Sequence, residues 1–293
     1  MPDANRSRRA DATPLTLEEL TLGHSPDSDD AFMFYGLASG AVDTGGLRYR
    51  HILKDIQTLN EWAREGRLDT TAISVHAYAY VAKTYAILNH GASMGGRDYG
   101  PLVVARRPVE AQALRGETVA IPGLMTSAYL ALRLCIGDFV PQVMPFDEIM
   151  EAVAAGDADY GLLIHEGQLT HAELGLHSIV NLGAWWWAET GLPLPLGVNA
   201  IRRALPAEVQ QRASAHLRAS IEYGLAHRDQ ALAWALQYAR GMQRGTADRF
   251  VGMYVNERTV DLGDEGRRSI ELFLSKAAAA RLIPDVGPIE FVH

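Results

Sequence analysis

Gly161-Leu162-Leu163-Ile164-His165-Glu166-Gly167 is the stretch on which the fold turns. A short apolar run bounded by turn-forming residues reads as a buried strand of an α/β sheet. The run over 160–164 ends directly on a histidine. In open α/β sheets, ligands bind just beyond the carboxyl ends of the strands. Imidazole is also the side chain best poised for proton transfer near neutral pH. His165 is therefore a candidate general base. The bland alternative is a histidine that caps the strand and bonds a nearby carbonyl.

Outward from that strand, β-like and α-like segments alternate. Strands are expected over 20–24, 47–53, 71–75, 85–89, 101–106, 117–121, 142–144 and 178–182. Helices are expected over 31–39, stopped by Gly40, after Asp55 as cap and up to Gly66, and over 76–82. Ser28 or Asp29 would cap the first of these, with the acidic residues at the positive end of the helix dipole. Two more follow over 127–136 and between Asp147, as cap, and Gly156. The glycine-rich stretch 90–100 reads as a loop. Residues 191–197 hold too much Pro and Gly for an element interior, and read as a segment crossing between domains. Beyond them the pattern is helical: Val209, Ala213, Leu217, Ile221 and Leu225 share one face, and Ile270, Phe273, Leu274 and Ala277 another. Such alternation is the signature of a mostly parallel sheet. The expected division is a disordered tail over 1–16, a first lobe from 17–106 and 198–293, and a second lobe from 107–197, with one larger sheet as the alternative.

Composition narrows the function classes. The chain has 293 residues, 48% hydrophobic and 21% charged, ample for two real cores. A formal net charge of −8 argues against a general nucleic-acid binder. No apolar stretch reaches bilayer-spanning length, and the arginine-bearing N-terminus has no apolar run of a secretory signal. The one cysteine, Cys135, sits in an apolar helical run and excludes an intramolecular disulfide. A cytoplasmic location is expected.

Several motifs compete for chemistry. Thr126-Ser127 follows the Pro122-Gly123 turn at a helix start, where free N–H groups and the dipole suit a carboxylate or phosphate; ordinary capping is the alternative. The aspartates of Ser25-Pro26-Asp27-Ser28-Asp29-Asp30 suit hydroxyls or a cation, or simply cap a helix. Ser74, at a strand end, is a similar candidate. No zincin histidine follows His165-Glu166, since position 169 is Leu169, and there is no cysteine pair for zinc. Neither a Walker loop nor a Gly-x-Ser-x-Gly elbow is present. Trp185-Trp186-Trp187 suits either ring stacking or packing.

In combination these stretches resemble the 1,4-dihydroxy-6-naphthoate synthase family of the futalosine route to menaquinone. The resemblance rests on Ser25-Pro26 through Asp30-Ala31-Phe32, Leu59-Asn60-Glu61-Trp62-Ala63 and Gly100-Pro101-Leu102-Val103-Val104-Ala105. It continues through Thr126-Ser127-Ala128-Tyr129, Leu163-Ile164-His165-Glu166 and Leu182-Gly183-Ala184-Trp185-Trp186, then Gly191-Leu192-Pro193-Leu194-Pro195-Leu196-Gly197. It implies a two-lobed, periplasmic-binding-protein-like (type 2) α/β fold with a central cleft and C-terminal helices. It also implies a lyase that converts cyclic dehypoxanthinylfutalosine to 1,4-dihydroxy-6-naphthoate without metal or organic cofactor. His165 would be the catalytic base, and Ile73, Ser74, Val75, Thr126 and Ser127 would contact substrate. The implied partner is a small aromatic carboxylate, with no nucleic acid and no membrane; oligomeric state is left open. One departure stands out: the family's first loop usually reads Ser-Pro-Cys-Pro-Asn-Asp-Thr-Phe, so Asp27 and Asp29 make this loop more acidic. The alternatives are a solute-binding protein without catalysis and a sister enzyme such as chorismate dehydratase.

Overall fold

The computed structural model describes residues 19–239 and 241–293; the tail expected over 1–16 lies outside the described residues. The apolar runs become, in chain order, strands β1 (Glu19–His24), β2 (Arg48–Leu53), β3 (Thr70–Ser74) and β4 (Tyr85–Leu88). Then come β5 (Ser93–Gly95), β6 (Leu102–Ala105), β7 (Thr118–Ile121) and β8 (Val140–Val143), followed by β9 (Tyr160–Leu163), β10 (His177–Asn181), β11 (Leu194–Arg202) and β12 (Phe291–Val292). They build two sheets. The first runs β12-β4-β11-β3-β1-β2, with β5 added on β11; the second runs β10-β6-β9-β7-β8. Both are mixed rather than mostly parallel, because β11 lies antiparallel to β3, β4 and β5, and β6 antiparallel to β9 and β10.

Three local expectations change. The stretch expected to cross between domains is largely strand: β11 starts at Leu194, and its register shifts between Pro195 and Gly197. A proline is tolerated in a strand where the ladder is already interrupted. The glycine-rich loop contains β5, and the C-terminus adds β12 beside β4. The expected lobe borders move accordingly. Leu102–Ala105 lies within the first expected lobe, yet its hydrogen bonds go to β9 and β10 of the second sheet. A border at 197/198 would cut β11, which is paired along its length in the first sheet.

Caps follow the chemistry with small shifts. Asp55 caps the helix Ile56–Arg64 by accepting from the Thr58 N–H. Asp27, rather than Ser28 or Asp29, caps Ser28–Met33, and Glu148, rather than Asp147, precedes Ile149–Ala155. One apolar cluster spans both sheets, joining Ile73 and Val198 of the first to Val119, Ile121 and Leu162 of the second. Onto it the helix Gly263–Ala279 packs Ile270, Phe273, Leu274 and Ala277, at the spacing expected. The helix Ala207–Ala226 buries Val209, Ala213, Leu217 and Ile221 in a second cluster beneath β1. Trp186 is core: fully buried, its indole N–H donates to Ser269 and its ring meets Phe273 edge-on at 5.4 Å. Gly183 lets its helix close on Tyr99, since a Cβ there would stand 2.0 Å from the Tyr99 carbonyl oxygen.

Candidate active site

Four strands deliver the site from their carboxyl ends, where α/β sheets place ligands. β1 runs into Ser25–Asp30, β3 ends on Ser74, β7 leads through Pro122–Met125 to Thr126, and β9 leads through Ile164 to His165. Together they enclose a cavity of about 110 Å³ between the two sheets. Ile73, Ser74, Thr126, Ser127 and His165 all line it, as do Asp27 and Asp29. Val75 does not: as the first residue of the helix Val75–Val81, it turns into the apolar core and is fully buried. Ile164 and His165 also border a second hollow, of about 400 Å³, on the side of Phe146 and Met150. The imidazole therefore stands in the wall between an inner cavity and an outer one.

The hydroxyls at the Thr126 helix start are already engaged. Thr126 Oγ1 accepts from the Tyr129 N–H at 3.2 Å and donates to the Gly123 carbonyl at 2.9 Å. Ser127 Oγ donates to the Leu196 carbonyl at 2.6 Å and accepts from the His76 N–H at 3.1 Å. These bonds lock the helix Ser127–Ile136 to β11 and to the helix that follows β3. The remaining donors at this end are the first backbone N–H groups of the helix, which have no intrahelical acceptor. Asn60, fully buried, makes the matching tie on the other side. Its Nδ2 donates to Ser74 Oγ at 3.0 Å and to the Met125 carbonyl at 3.4 Å, while its Oδ1 accepts from the Ser74 N–H at 2.8 Å.

The carboxylate beside His165 comes from Asp27 of the first loop. Asp27 Oδ2 lies 3.7 Å from His165 Nδ1, and the Phe146 ring meets the imidazole edge-on at 4.5 Å. The His165 Nε2 atom is buried without a hydrogen-bond partner. The three aspartates of the first loop are all at least nine-tenths buried. Burial opposes ionisation of Asp27, but the charge of His165 and donors within the loop hold its carboxyl below the usual range. Burial first, then repulsion from Asp27 and Asp30, pushes Asp29 well above it. Burial and Asp27 do the same to Asp30, against the Ser25 N–H that donates to its Oδ2 at 2.7 Å. Local spacing offered His165 no metal-binding partner, yet the fold brings Asp27 and Asp29 to it, with one ligand atom of each lying within 4.8 Å of the others.

Phe250 and Tyr254 of the helix Arg244–Tyr254, and Asn199 of β11, also line the cavity. Burial pushes the Tyr254 hydroxyl above its ordinary range, so it stays protonated and donates to Gln168 Oε1 at 2.6 Å. Asn199 donates to the Gly91 carbonyl at 2.9 Å. Sequence reasoning did not single out Asn60, Asn199, Phe250 or Tyr254 as site residues. Their spacing marks only core faces, and they reach the site through tertiary contacts.

Comparison with known proteins agrees with this architecture. A family model described as menaquinone biosynthesis matches residues 20–279. A 1,4-dihydroxy-6-naphthoate synthase from Thermus thermophilus is 41% identical over 266 residues, covering 91% of this chain and 96% of the relative. A crystal structure of a protein from Archaeoglobus fulgidus superimposes with a TM-score of 0.87 at 44% identity, covering 91% of this chain and 99% of that one. The ligand-binding component of an ABC-type import system from Staphylococcus aureus gives a TM-score of 0.69 at 14% identity, over 94% and 96% of the two chains, a likeness of fold alone. The fold is thus periplasmic-binding-protein-like. Among the described residues no helix is long and apolar enough to cross a membrane. Matched over most of its length by that family model, the chain belongs to the menaquinone biosynthesis family.

Proposed function

We propose that this chain is a lyase that converts cyclic dehypoxanthinylfutalosine to 1,4-dihydroxy-6-naphthoate in the cytoplasm, with His165 as general base. The observation that carries this reading is His165 Nε2, buried, without a hydrogen-bond partner, and in the wall of a cavity that the helix start at Thr126 also lines. A base needs one ring nitrogen free to take a proton and the other held; Asp27 stands at the other, Nδ1. The likeness to the naphthoate synthase from Thermus thermophilus supports this reading.

In this mechanism the aromatic carboxylate of the substrate lies against the open N–H groups at the start of Ser127–Ile136, where the helix dipole favours negative charge. Ile73 and Leu196 offer apolar surface to the ring system, and Ser74 and Asn199 offer polar edges. His165 removes a proton from the sugar-derived ring. Fragmentation follows, driven by formation of the aromatic naphthalene, and Asp27 stabilises the imidazolium that results. A cavity of about 110 Å³ is well below the roughly 300–1,000 Å³ of common ligand pockets, so the two sheets part to admit substrate and close to exclude water.

The test is to supply purified protein with the cyclic futalosine derivative and to look for dihydroxynaphthoate by chromatography and mass. Product formation supports the reading. Tight binding with no product would instead favour a small-carboxylate binding protein that does no chemistry.

A further inference from the structure

We propose that Asp27, Asp29 and His165 form a binding site for a divalent first-row transition ion, of the Mn²⁺ or Zn²⁺ class, at the inner wall of the cavity. The inference concerns the resting protein and does not depend on the reaction proposed above. One oxygen of each aspartate and one imidazole nitrogen lie within 4.8 Å of one another. Asp27 Oδ2 stands 3.7 Å from His165 Nδ1. Ligands about 2.1 Å from a tetrahedral ion stand about 3.4 Å apart, so relative movements of up to about 1.4 Å close the set.

A second observation separates this cluster from a merely acidic loop. Asp29 Oδ1 is buried without a hydrogen-bond partner, in a side chain that lines the cavity and is only 9% exposed. A buried carboxylate oxygen with nothing to accept from is costly, and a cation satisfies it. Among the described residues no lysine or arginine forms an ion pair with Asp27, Asp29 or Asp30; the one ion-pair partner is His165. The backbone fixes the set. Asp27 caps its helix through Oδ1, which accepts from the Asp30 N–H at 3.2 Å, leaving Oδ2 to face the imidazole. The Phe146 ring packs edge-on against the imidazole.

The donor set selects the ion. Calcium and magnesium prefer all-oxygen shells, whereas two carboxylates and an imidazole suit manganese, iron, cobalt or zinc. The cavity of about 110 Å³ has room for the few waters, at about 30 Å³ each, that would complete the coordination. An ion on Nδ1 leaves the proton on Nε2, so the loaded protein has no free lone pair at the nitrogen assigned above as base. If the proposed reaction holds, metal binding therefore inhibits it.

The experiment titrates chelator-stripped full-length protein with Mn²⁺ and follows the six-line resonance of the free ion, without substrate. The expected result is loss of about one equivalent of free signal per chain and its return on adding Zn²⁺ but not Mg²⁺. Asp29→Asn and His165→Ala, each with the wild-type circular dichroism spectrum, should weaken binding at least about tenfold. An undiminished free signal at about millimolar ion would overturn the proposal, as would wild-type affinity in Asp29→Asn. Naphthoate formation without metal binding leaves the function standing and removes the site; metal binding without turnover does the reverse.

Discussion

Asn60→Ala is expected to loosen the site and the fold together. Asn60 is fully buried and holds the end of β3 to the residues preceding the helix Ser127–Ile136. The substitution deletes a donation to Ser74 Oγ, a longer one to the Met125 carbonyl, and the acceptor of the Ser74 N–H. Each intact bond contributes about 0.5–1.5 kcal/mol net, and a buried group left unsatisfied costs about 1–3 kcal/mol. The 3.4 Å contact is counted as weak, so the sum is about 2–4 kcal/mol. Ser74→Ala is the internal control. It removes only the hydroxyl and keeps the bond from the Ser74 N–H to Asn60 Oδ1, so it should cost about 1 kcal/mol. Urea unfolding followed by tryptophan fluorescence reads both as shifts in midpoint at constant slope. An Asn60→Ala midpoint within about 0.5 kcal/mol of wild type would show that the three contacts do not hold the two sides of the cavity together.

Other outcomes follow from the same contacts. Ser127→Ala removes the hydroxyl that joins the His76 N–H to the Leu196 carbonyl, and should lower stability by about 1–3 kcal/mol, read as a fall in Tm. Gly183→Ala places a Cβ 2.0 Å from the Tyr99 carbonyl oxygen, a backbone atom, so thermal melting should show a loss larger than about 2 kcal/mol; a neutral effect would mean that the helix Leu182–Thr190 shifts freely. Burial, with the charge of His51, lowers His24 to about 3, and burial lowers His76 to about 4, against an ordinary 6.5. Below pH 6.5 the unfolded chain then binds more protons, so stability falls as pH drops toward these values, by about 3–5 kcal/mol for each histidine. Urea midpoints between pH 7 and about 4 should decline, and less steeply in His76→Gln.

Much of this was legible along the chain because local chemistry decided it. The strand ends at His24 and Ile121, those at Ser74 and Leu163 one residue short of the expected 75 and 164, and the caps at Asp55 and Thr126 follow from apolar runs meeting capping side chains. His165 could be placed beside a cavity for the same reason. What stayed hidden was decided by tertiary contact. Pro195 and Gly197 look like breakers, yet β11 accommodates them at a register shift supplied by β5. Leu102–Ala105 reads as the last strand of the first lobe, but its partners lie far downstream in the second sheet. Asp27 is remote from His165 in sequence, and only the fold brings the two together. The Thr126-Ser127 helix start could be read as an anion site or as ordinary capping, and only the fold shows its hydroxyls bonded to Gly123, Leu196 and His76.

Steady-state kinetics of His165→Ala on the cyclic futalosine derivative test whether His165 moves the proton that starts fragmentation. The expected result is a fall in kcat of about 10²–10⁴ with a much smaller change in KM, because the imidazole acts in the transition state while the helix N-terminus still holds the carboxylate. Undiminished turnover by that variant would contradict the assignment.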